Sequence, residues 1–489
     1  MATSFCFAGY PDAVLVDDKG DPVDHLLWGS FLSLTGKKES GFLQVKRGDD
    51  LYWIDENRTQ DHGLLEIVFV DIGQGDGCLL TIPNPGKPPR NIVIDAGESN
   101  NMANFLRYKL KRQTQVNFEA FVITHPDQDH YYGFDEIFDE QKFSVATVYH
   151  SGLVERNATE VLGKKQKVGA KNYLTELIAD KAQLDQLLTP ARIGKKQYPK
   201  MLRKALDSER VADIRMLNAD DQFFPGCGPN DDVTIQVLGP VPKQVSGKPA
   251  LPWFKDIGKT KNGHSIVLRM TYGKVSFLLG GDLNIPAEEY LMEHYTEESF
   301  PPRTAQDEER VVQKARRVFE SDFAKCCHHG SADFSEYYLQ AINARATVIS
   351  SGDDEPHAHP RSDTLGTIGK HSRGRRSLIF STELARSAPD NITNAKAFQD
   401  EIRDAVNEME TAKQSGNAQK IARAQKAFEK LLARIQRSVA TYGAINFRTD
   451  GDKAIFAYRI ERPGSLGNKW DIYRFERDGI GELEYVSKH

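Results

Sequence analysis

Phe118-Glu119-Ala120-Phe121-Val122-Ile123-Thr124-His125-Pro126-Asp127-Gln128-Asp129-His130 joins a mostly apolar run to four side chains able to bind metal within six residues. The apolar run predicts a buried strand, and the proline and polar residues after it predict a tight loop. A spacing of two places His125 and Asp127 on one side, while Asp129 and His130 open the next element. Two divalent cations a few ångströms apart would suit such a cluster. The plain alternative is a polar loop whose carboxylates cap a helix, and the rest of the chain decides between the two.

Upstream, Leu65 to Gly77 reads as a strand running into a glycine-rich turn that carries Asp71 and Asp76. Asn91 to Glu98 repeats the design and ends in Asp95-Ala96-Gly97. Strand, hairpin, strand, helix (Met102 to Arg112), strand and loop is a layered α/β progression. Asp71, Asp76 and Asp95 are therefore expected near the cluster, as carboxylates that orient its histidines or cap turns. Downstream, Asp282 closes the run Val275 to Leu279, where an unpaired buried carboxylate would be costly without a cation.

These motifs, in order, are Val70 to Gly77, Val93 to Gly97, Thr124 to Gly133, Asn262-Gly263-His264-Ser265, Leu278 to Asp282, His328-His329-Gly330-Ser331, and Ile349 to Gly352 with His359-Pro360. Together they resemble the metallo-β-lactamase superfamily, more narrowly its ComEC-like competence branch, over roughly residues 64–385. The resemblance implies an α/β fold, a four-layer αββα sandwich with a dinuclear metal site along one edge. The superfamily's usual H-x-H-x-D-H here has Asp127 in place of its second histidine, as ComEC-like members do.

A ligand count on these residues gives one ion Asp129, His130 and His359, and the other His125, Asp127 and one of His328 and His329, with Asp282 bridging. His329 is the favoured ligand of the adjacent pair. His328 then becomes the acid that protonates a leaving group, or a phosphate contact, and Asp129 joins it in the catalytic set. His150 and His264 are further candidates, each weighed against a hydrogen-bonded structural role. The cofactors expected are two divalent ions, zinc or manganese, since the added carboxylate hardens the ligand set.

The chain has 489 residues, 39% hydrophobic and 27% charged, which predicts a globular protein with one large core and accessory modules. No apolar run reaches the ~20 residues that span a bilayer, and the first residues lack a basic, apolar leader pattern. A cytoplasmic location without membrane contact is the resulting expectation. Five scattered cysteines without a C-x-x-C pair argue against a disulfide framework and a thiolate zinc site. A net charge of −5 means that affinity for nucleic acid must come from local basic patches.

Residues 1–62 carry short strand-like runs and look like a small Src-homology-3-like β-barrel, with Gly29 early and Trp53 late in it. Residues 63–388 hold the metal-binding motifs, with an insertion at about 153–240. In that insertion an amphipathic helix is expected from Tyr173 to Leu188, flanked by lysines as a solvated surface or a cationic lid. The run Lys370-His371-Ser372-Arg373-Gly374-Arg375-Arg376, close in sequence to His359, makes Lys370, Arg373, Arg375 and Arg376 the phosphate-binding candidates. Residues 389–489 read as an αα-hairpin about Ser415-Gly416-Asn417 and a short β segment. The barrel or the hairpin would be the place for a protein partner.

The function expected is metal-dependent phosphodiester hydrolysis. DNA, single-stranded or unwound, is the substrate, in DNA processing or, by analogy, phage defence. One rival is hydrolysis of a small ester, lactone or phosphoester, which predicts a closed pocket. Another is a non-catalytic adaptor, against which the full set of candidate ligands counts.

Overall fold

Period-two burial in the first strands sets up the amino-terminal unit. The computed structural model describes residues 5–352, 357–382, 395–441, 443–460 and 468–487, without the side chains of 395–399 and 433–441. Seven antiparallel strands lie in the order Pro22–Leu27, Asp12–Val16, Asp50–Asp55, Phe42–Arg47, Phe31–Glu39, Phe5–Ala8 and Thr59–Gln60. They curl around Ala8, Leu15, Leu32, Val45 and Ile54. Among the described residues the two outer strands do not pair with each other, so the sheet is not closed by hydrogen bonds.

The main domain stacks two sheets. The first contains β1 (Leu65–Phe69), β2 (Gly77–Ile82), β3 (Arg90–Ala96), β4 (Val116–Ile123), β5 (Phe143–His150) and β6 (Val211–Met216). The second contains β7 (Val233–Gly239), β8 (Val267–Tyr272), β9 (Val275–Leu279), β10 (Phe323–Lys325), β11 (Ala346–Ile349) and β12 (Leu378–Ser381) in that spatial order. Each begins with antiparallel strands and continues with parallel ones, β3 to β6 in one and β9 to β12 in the other. Parallel neighbours need crossover connections, and the crossing helices cover the outer faces. The facing sides hold Ile67, Phe69, Ile94, Met270, Phe277 and Phe323. Phe105, Phe121 and Tyr198 fill one outer layer, and Phe319, Tyr338 and Met292 the other. This is the expected αββα sandwich.

The carboxy-terminal strands depart from the separate unit expected for 389–489. The boundary itself lies outside the described residues. Beyond it, β13 (Ile445–Thr449), β14 (Ala454–Arg459), β15 (Trp470–Arg477) and β16 (Leu483–Val486) extend the first sheet to ten strands. β13 pairs antiparallel with β1, Ile445 opposite Phe69 and Thr449 opposite Leu65. The physical reason is burial: a four-strand meander has no second layer of its own, whereas β1 offers an edge of unpaired backbone groups. Phe447 and Phe475 thereby pack on Phe323 of the other sheet, with ring centroids 5.2 and 4.9 Å away.

The helical hairpin, Ala395–Gln414 and Ala418–Thr441, is thus inserted between β12 and β13, and its second helix packs on the helix Asn101–Lys109. Ile435 and Val439, whose spacing in the sequence contributes to the helical period of the second arm, lie outside the described side chains. The amino-terminal sheet leans on the added strands. Leu27 and buried Trp28 pack against Leu64, Ile455 and Ala457, and Arg448 donates to the carbonyl of Leu27 at 3.3 Å.

The insertion also departs from its reading. In place of a helix from Tyr173 to Leu188 there is a hairpin, Lys165–Val168 with Lys171–Leu174, and a shorter helix, Lys181–Leu187. Asp180 caps that helix by accepting from the Gln183 N–H at 2.9 Å, which sets its start. Two of the flanking cations there are engaged internally: Arg203 with Asp185 and Asp207, Lys204 with Asp135 and Asp139. The segment then supplies β6, so it builds the sheet as well as covering it. Among the described residues no helix is long and apolar enough to cross a membrane.

Candidate metal centre

The carboxyl ends of β3, β4, β9, β10 and β11 meet at one edge of the sandwich, where open α/β sheets place their sites. At the end of β3, Asp95 has a left-handed backbone, φ 54°. It accepts from the Thr124 N–H at 2.8 Å and the Thr124 hydroxyl at 2.7 Å. It also lies 2.8 Å from Nδ1 of His130. A carboxylate there fixes the His130 proton on Nδ1 and leaves Nε2 bare. His329 is fixed the same way, because its Nδ1 lies 3.0 Å from the Ser350 carbonyl, which can only accept.

Both bare nitrogens turn to the same oxygens. Nε2 of His130 and of His329 lie 3.3 and 3.1 Å from Oδ2 of Asp282, and Nε2 of His329 lies 3.3 Å from Oδ2 of Asp129. Asp129, His130, Asp282 and His329 each offer an atom within 4.8 Å of the others. The two Nε2 atoms and Oδ1 of Asp282 are buried and make no hydrogen bond. Burial disfavours a charged His130 or His329, yet Asp282 and the other carboxylates outweigh it and hold both pKa values well above the ordinary imidazole value. The pocket thus demands positive charge, met by a second proton on each Nε2 or by a cation in its place, and two imidazoles with two carboxylates are a suitable donor set for a divalent ion. The grouping differs from the expected division: His329 joins Asp129, His130 and Asp282, whereas His359 stands on the cleft wall, its ring 6.4 Å from that of His329.

Backbone shape brings these groups together. His328, His329 and Gly330 run consecutively through left-handed conformation, each non-glycine costing about 1–3 kcal/mol. A side chain at Gly75 would strike the Asp129 carbonyl, so that glycine lets the turn before Asp76 close on the metal loop.

Asp76 contacts the buried ammonium of Lys325, which also donates to the Gly281 carbonyl at 3.1 Å and lies 3.6 Å from Asp282. Asp76 and Asp95 therefore lie against the site, each touching a residue of the cluster or its loop. Asp71 does not: it sits against Gly443 at the start of the added strands and accepts from the Gly73 N–H, a turn role. Lys325 was not singled out from the sequence. Its signal is a lone charge in the apolar run Phe323 to Cys327, which must find a buried counter-ion.

The other half of the motif is arranged differently. His125 is fully buried, with Nδ1 3.1 Å from the Thr124 hydroxyl and 3.3 Å from that of Ser265. Asp127 contacts the ammonium of Lys261. The Asn262 amide, in the orientation that satisfies both its ends, donates to Asp127 at 2.6 Å. His328 lies beside Asn262, 3.4 Å from its amide. Burial lowers the pKa of His328, which favours a neutral ring over the proton donor expected there. His264 lies 2.7 Å from the Pro252 carbonyl and stacks on Phe254, and His150 accepts from the Gly152 N–H. Burial lowers both pKa values to about 4.

The group lies on the floor of an open cleft of about 1200 Å³, whose walls include Glu98, His328, Asp333, His359 and Arg361. The basic run expected to hold phosphate is elsewhere. It precedes β12, whose first residue pairs with Ala346 at the start of β11, so it lies at the opposite end of the strands from the ligands. There Lys370 pairs with Glu336, and Arg373 with Glu320 and Asp322. The Arg375 backbone approaches Glu484, and Arg376 lies 3.5 Å from Ser487. Nearness in sequence to His359 misled because the intervening helix Ser362–His371 carries the chain back across the sheet.

A family comparison agrees with this architecture. Residues 89–330 match the family described as the metallo-beta-lactamase superfamily. A stretch of 114 residues, 23% of this chain and 12% of the other, is 28% identical to "ComE operon protein 3" of Bacillus subtilis (strain 168). The match thus spans only a small part of that relative. Among solved structures, a mutant of the β-hydroxylase CmlA aligns over 66% of this chain and 54% of its own at 10% identity, with a TM-score of 0.32. A motif mutant of a metallo-beta-lactamase from Cronobacter sakazakii aligns over 54% and 76% at 13% identity, with a TM-score of 0.23. The stacked sheets, the ligands converging at their edge and the family match identify residues 89–330 as a metallo-beta-lactamase superfamily domain.

Proposed function

We propose that the protein is a metal-dependent phosphodiesterase that cleaves DNA, single-stranded or unwound, with zinc or manganese at Asp129, His130, Asp282 and His329. The superfamily's members are usually metal-dependent hydrolases. The observation that carries the finer reading is the cleft: the ligands lie on the floor of an open groove of about 1200 Å³, which admits a polymer, where a small ester or lactone calls for an enclosed pocket. The resemblance to the ComEC-like branch points the same way.

A divalent ion held by these four side chains would polarise a phosphoryl oxygen and make water a nucleophile at neutral pH. The chain's own groups prepare the place. Asp95 and the Ser350 carbonyl hold the imidazole tautomers, Lys325 balances Asp76 and Asp282, and Arg361 on the cleft wall supplies a cation for an anionic substrate. A role in DNA processing or phage defence, and a partner on the amino-terminal sheet or helical hairpin, belong to the same proposal.

Purified protein incubated with circular single-stranded DNA, duplex DNA and bis(p-nitrophenyl) phosphate, with and without Mn²⁺, tests it. Metal-dependent cleavage of the circle and of the small diester is expected. Turnover of carboxylic esters or lactones without either would support the small-substrate reading instead.

A further inference from the structure

The geometry points to a centre that holds one divalent ion, with the ammonium of Lys261 standing in place of a second. The other group of three, Asp76, Asp95 and His130, is already taken up by the Lys325 ammonium and by the Nδ1 proton of His130, so a second ion would need His125 and Asp127, the other half of the histidine-aspartate motif. Among the described residues, no group of three ligating side chains that includes either of them comes together. Asp127 is already engaged by Lys261 and by the Asn262 amide.

Lys261 is built into the site. It sits in the last turn of the helix Ile257–Gly263, capped at its start by Asp256, which accepts from the Lys259 N–H at 2.8 Å. Its side chain is 13% exposed and lies between Asp127 and Glu155, 3.6 Å from the latter. The hydroxyls beside His125 complete the arrangement. Thr124 donates to Asp95 and Ser265 to the Asn262 carbonyl, so both can only accept from Nδ1 of His125. That leaves its Nε2 facing Asp127 at 3.8 Å, whose other carboxylate oxygen is held by the Lys261 ammonium. A dication at this place would meet a fixed like charge, which disfavours it. The same ammonium, held against Asp127, which lines the cleft together with Asn262, can neutralise a non-bridging oxygen of a phosphodiester, the task a second ion performs in two-metal sites.

The role of Lys261 rests on the phosphodiesterase reading, but the count of ions does not. The test uses the full chain, stripped with chelator, reloaded with excess Mn²⁺ and desalted, with metal measured by elemental analysis and electron paramagnetic resonance. One ion per chain with an isolated six-line signal is expected. Two ions with an exchange-coupled signal, or no binding, would overturn the inference. Lys261→Met, with its melting curve checked, is expected to keep the single ion and lose about 10²-fold in kcat on bis(p-nitrophenyl) phosphate, with Lys261→Arg recovering part of it. Unchanged kcat in Lys261→Met, or loss of the ion, would overturn it as well. One bound ion without turnover of any phosphodiester would sink the functional reading and leave the count standing.

Discussion

Asp95 shows how much a single residue carries here. It is not one of the four proposed ligands, yet it receives Thr124 through both backbone and hydroxyl and orients His130. Asp95→Asn keeps the shape but presents an amide nitrogen or a weaker acceptor to His130, so the imidazole loses its fixed tautomer. The expected outcome is a metal affinity lower by about 10- to 100-fold, measured by titration with a competing chelator, with near-normal melting of the metal-free protein. Unaltered affinity would show that His130 is held by packing alone. At this scale the sequence was informative where a motif is local. His125, Asp127, Asp129 and His130 lie on one loop, and Asp95 and Asp282 each close a strand in the expected way. Lys261 and Lys325 were not legible, because their partners Asp127 and Asp76 are 134 and 249 positions away and only the folded sheets bring them together.

Among the elements, the pairing of β13 with β1 holds the carboxy-terminal strands in the sandwich, and it is reinforced by charge. Glu66 on β1 accepts from Arg448 on β13 at 2.8 Å and from Lys109 at 2.9 Å. Burial works against its ionisation, but Arg448 and Lys109 prevail and lower its pKa from the ordinary 4.5 to about 2. A carboxylate with a depressed folded pKa stabilises above its unfolded value and loses that contribution as pH falls through the folded one. Wild type should therefore lose on the order of 3 kcal/mol from this group as pH drops from about 5 towards 2. Glu66→Gln should be weaker at pH 7 and flatter across that window, by denaturant unfolding at each pH. Parallel curves would remove Glu66 from the account. The same scale corrects the basic run before β12. Arg373→Ala should cost about 2 kcal/mol through its ion pairs with Glu320 and Asp322 and leave DNA affinity within about twofold; a large drop in affinity with intact stability would restore the phosphate role. The run was misread because charge density is visible in sequence, whereas the direction in which a crossover helix returns is not.

For the whole molecule, the layered progression of strands and helices made the αββα sandwich legible, since apolar strands ending in glycine and aspartate recur at both sheets. The extension of the first sheet by β13 to β16 was not, because a β meander reads the same whether it stands alone or adds to an edge. The cleft is rich in acidic groups, with Glu98, Asp129 and Asp333 among the lining residues, and the chain carries a net charge of −5. A polyanion should therefore bind poorly unless metal is present. Retention of single-stranded DNA in the chelated protein should be at least about tenfold weaker than with Mn²⁺ and cleavage-inactive phosphorothioate DNA. Equal retention would place the DNA on another surface.

The central claim is that phosphodiester cleavage occurs at Asp129, His130, Asp282 and His329 through a bound divalent ion. Its most direct test is the initial rate on circular single-stranded DNA and bis(p-nitrophenyl) phosphate for chelated, Mn²⁺-restored and Asp282→Asn protein prepared in parallel. Asp282 faces both bare imidazole nitrogens, so the account predicts background rates after chelation, full recovery with Mn²⁺ in the wild type, and a loss of at least about 10³-fold in Asp282→Asn that Mn²⁺ does not restore. Wild-type turnover in Asp282→Asn, or in the chelated enzyme, would contradict it.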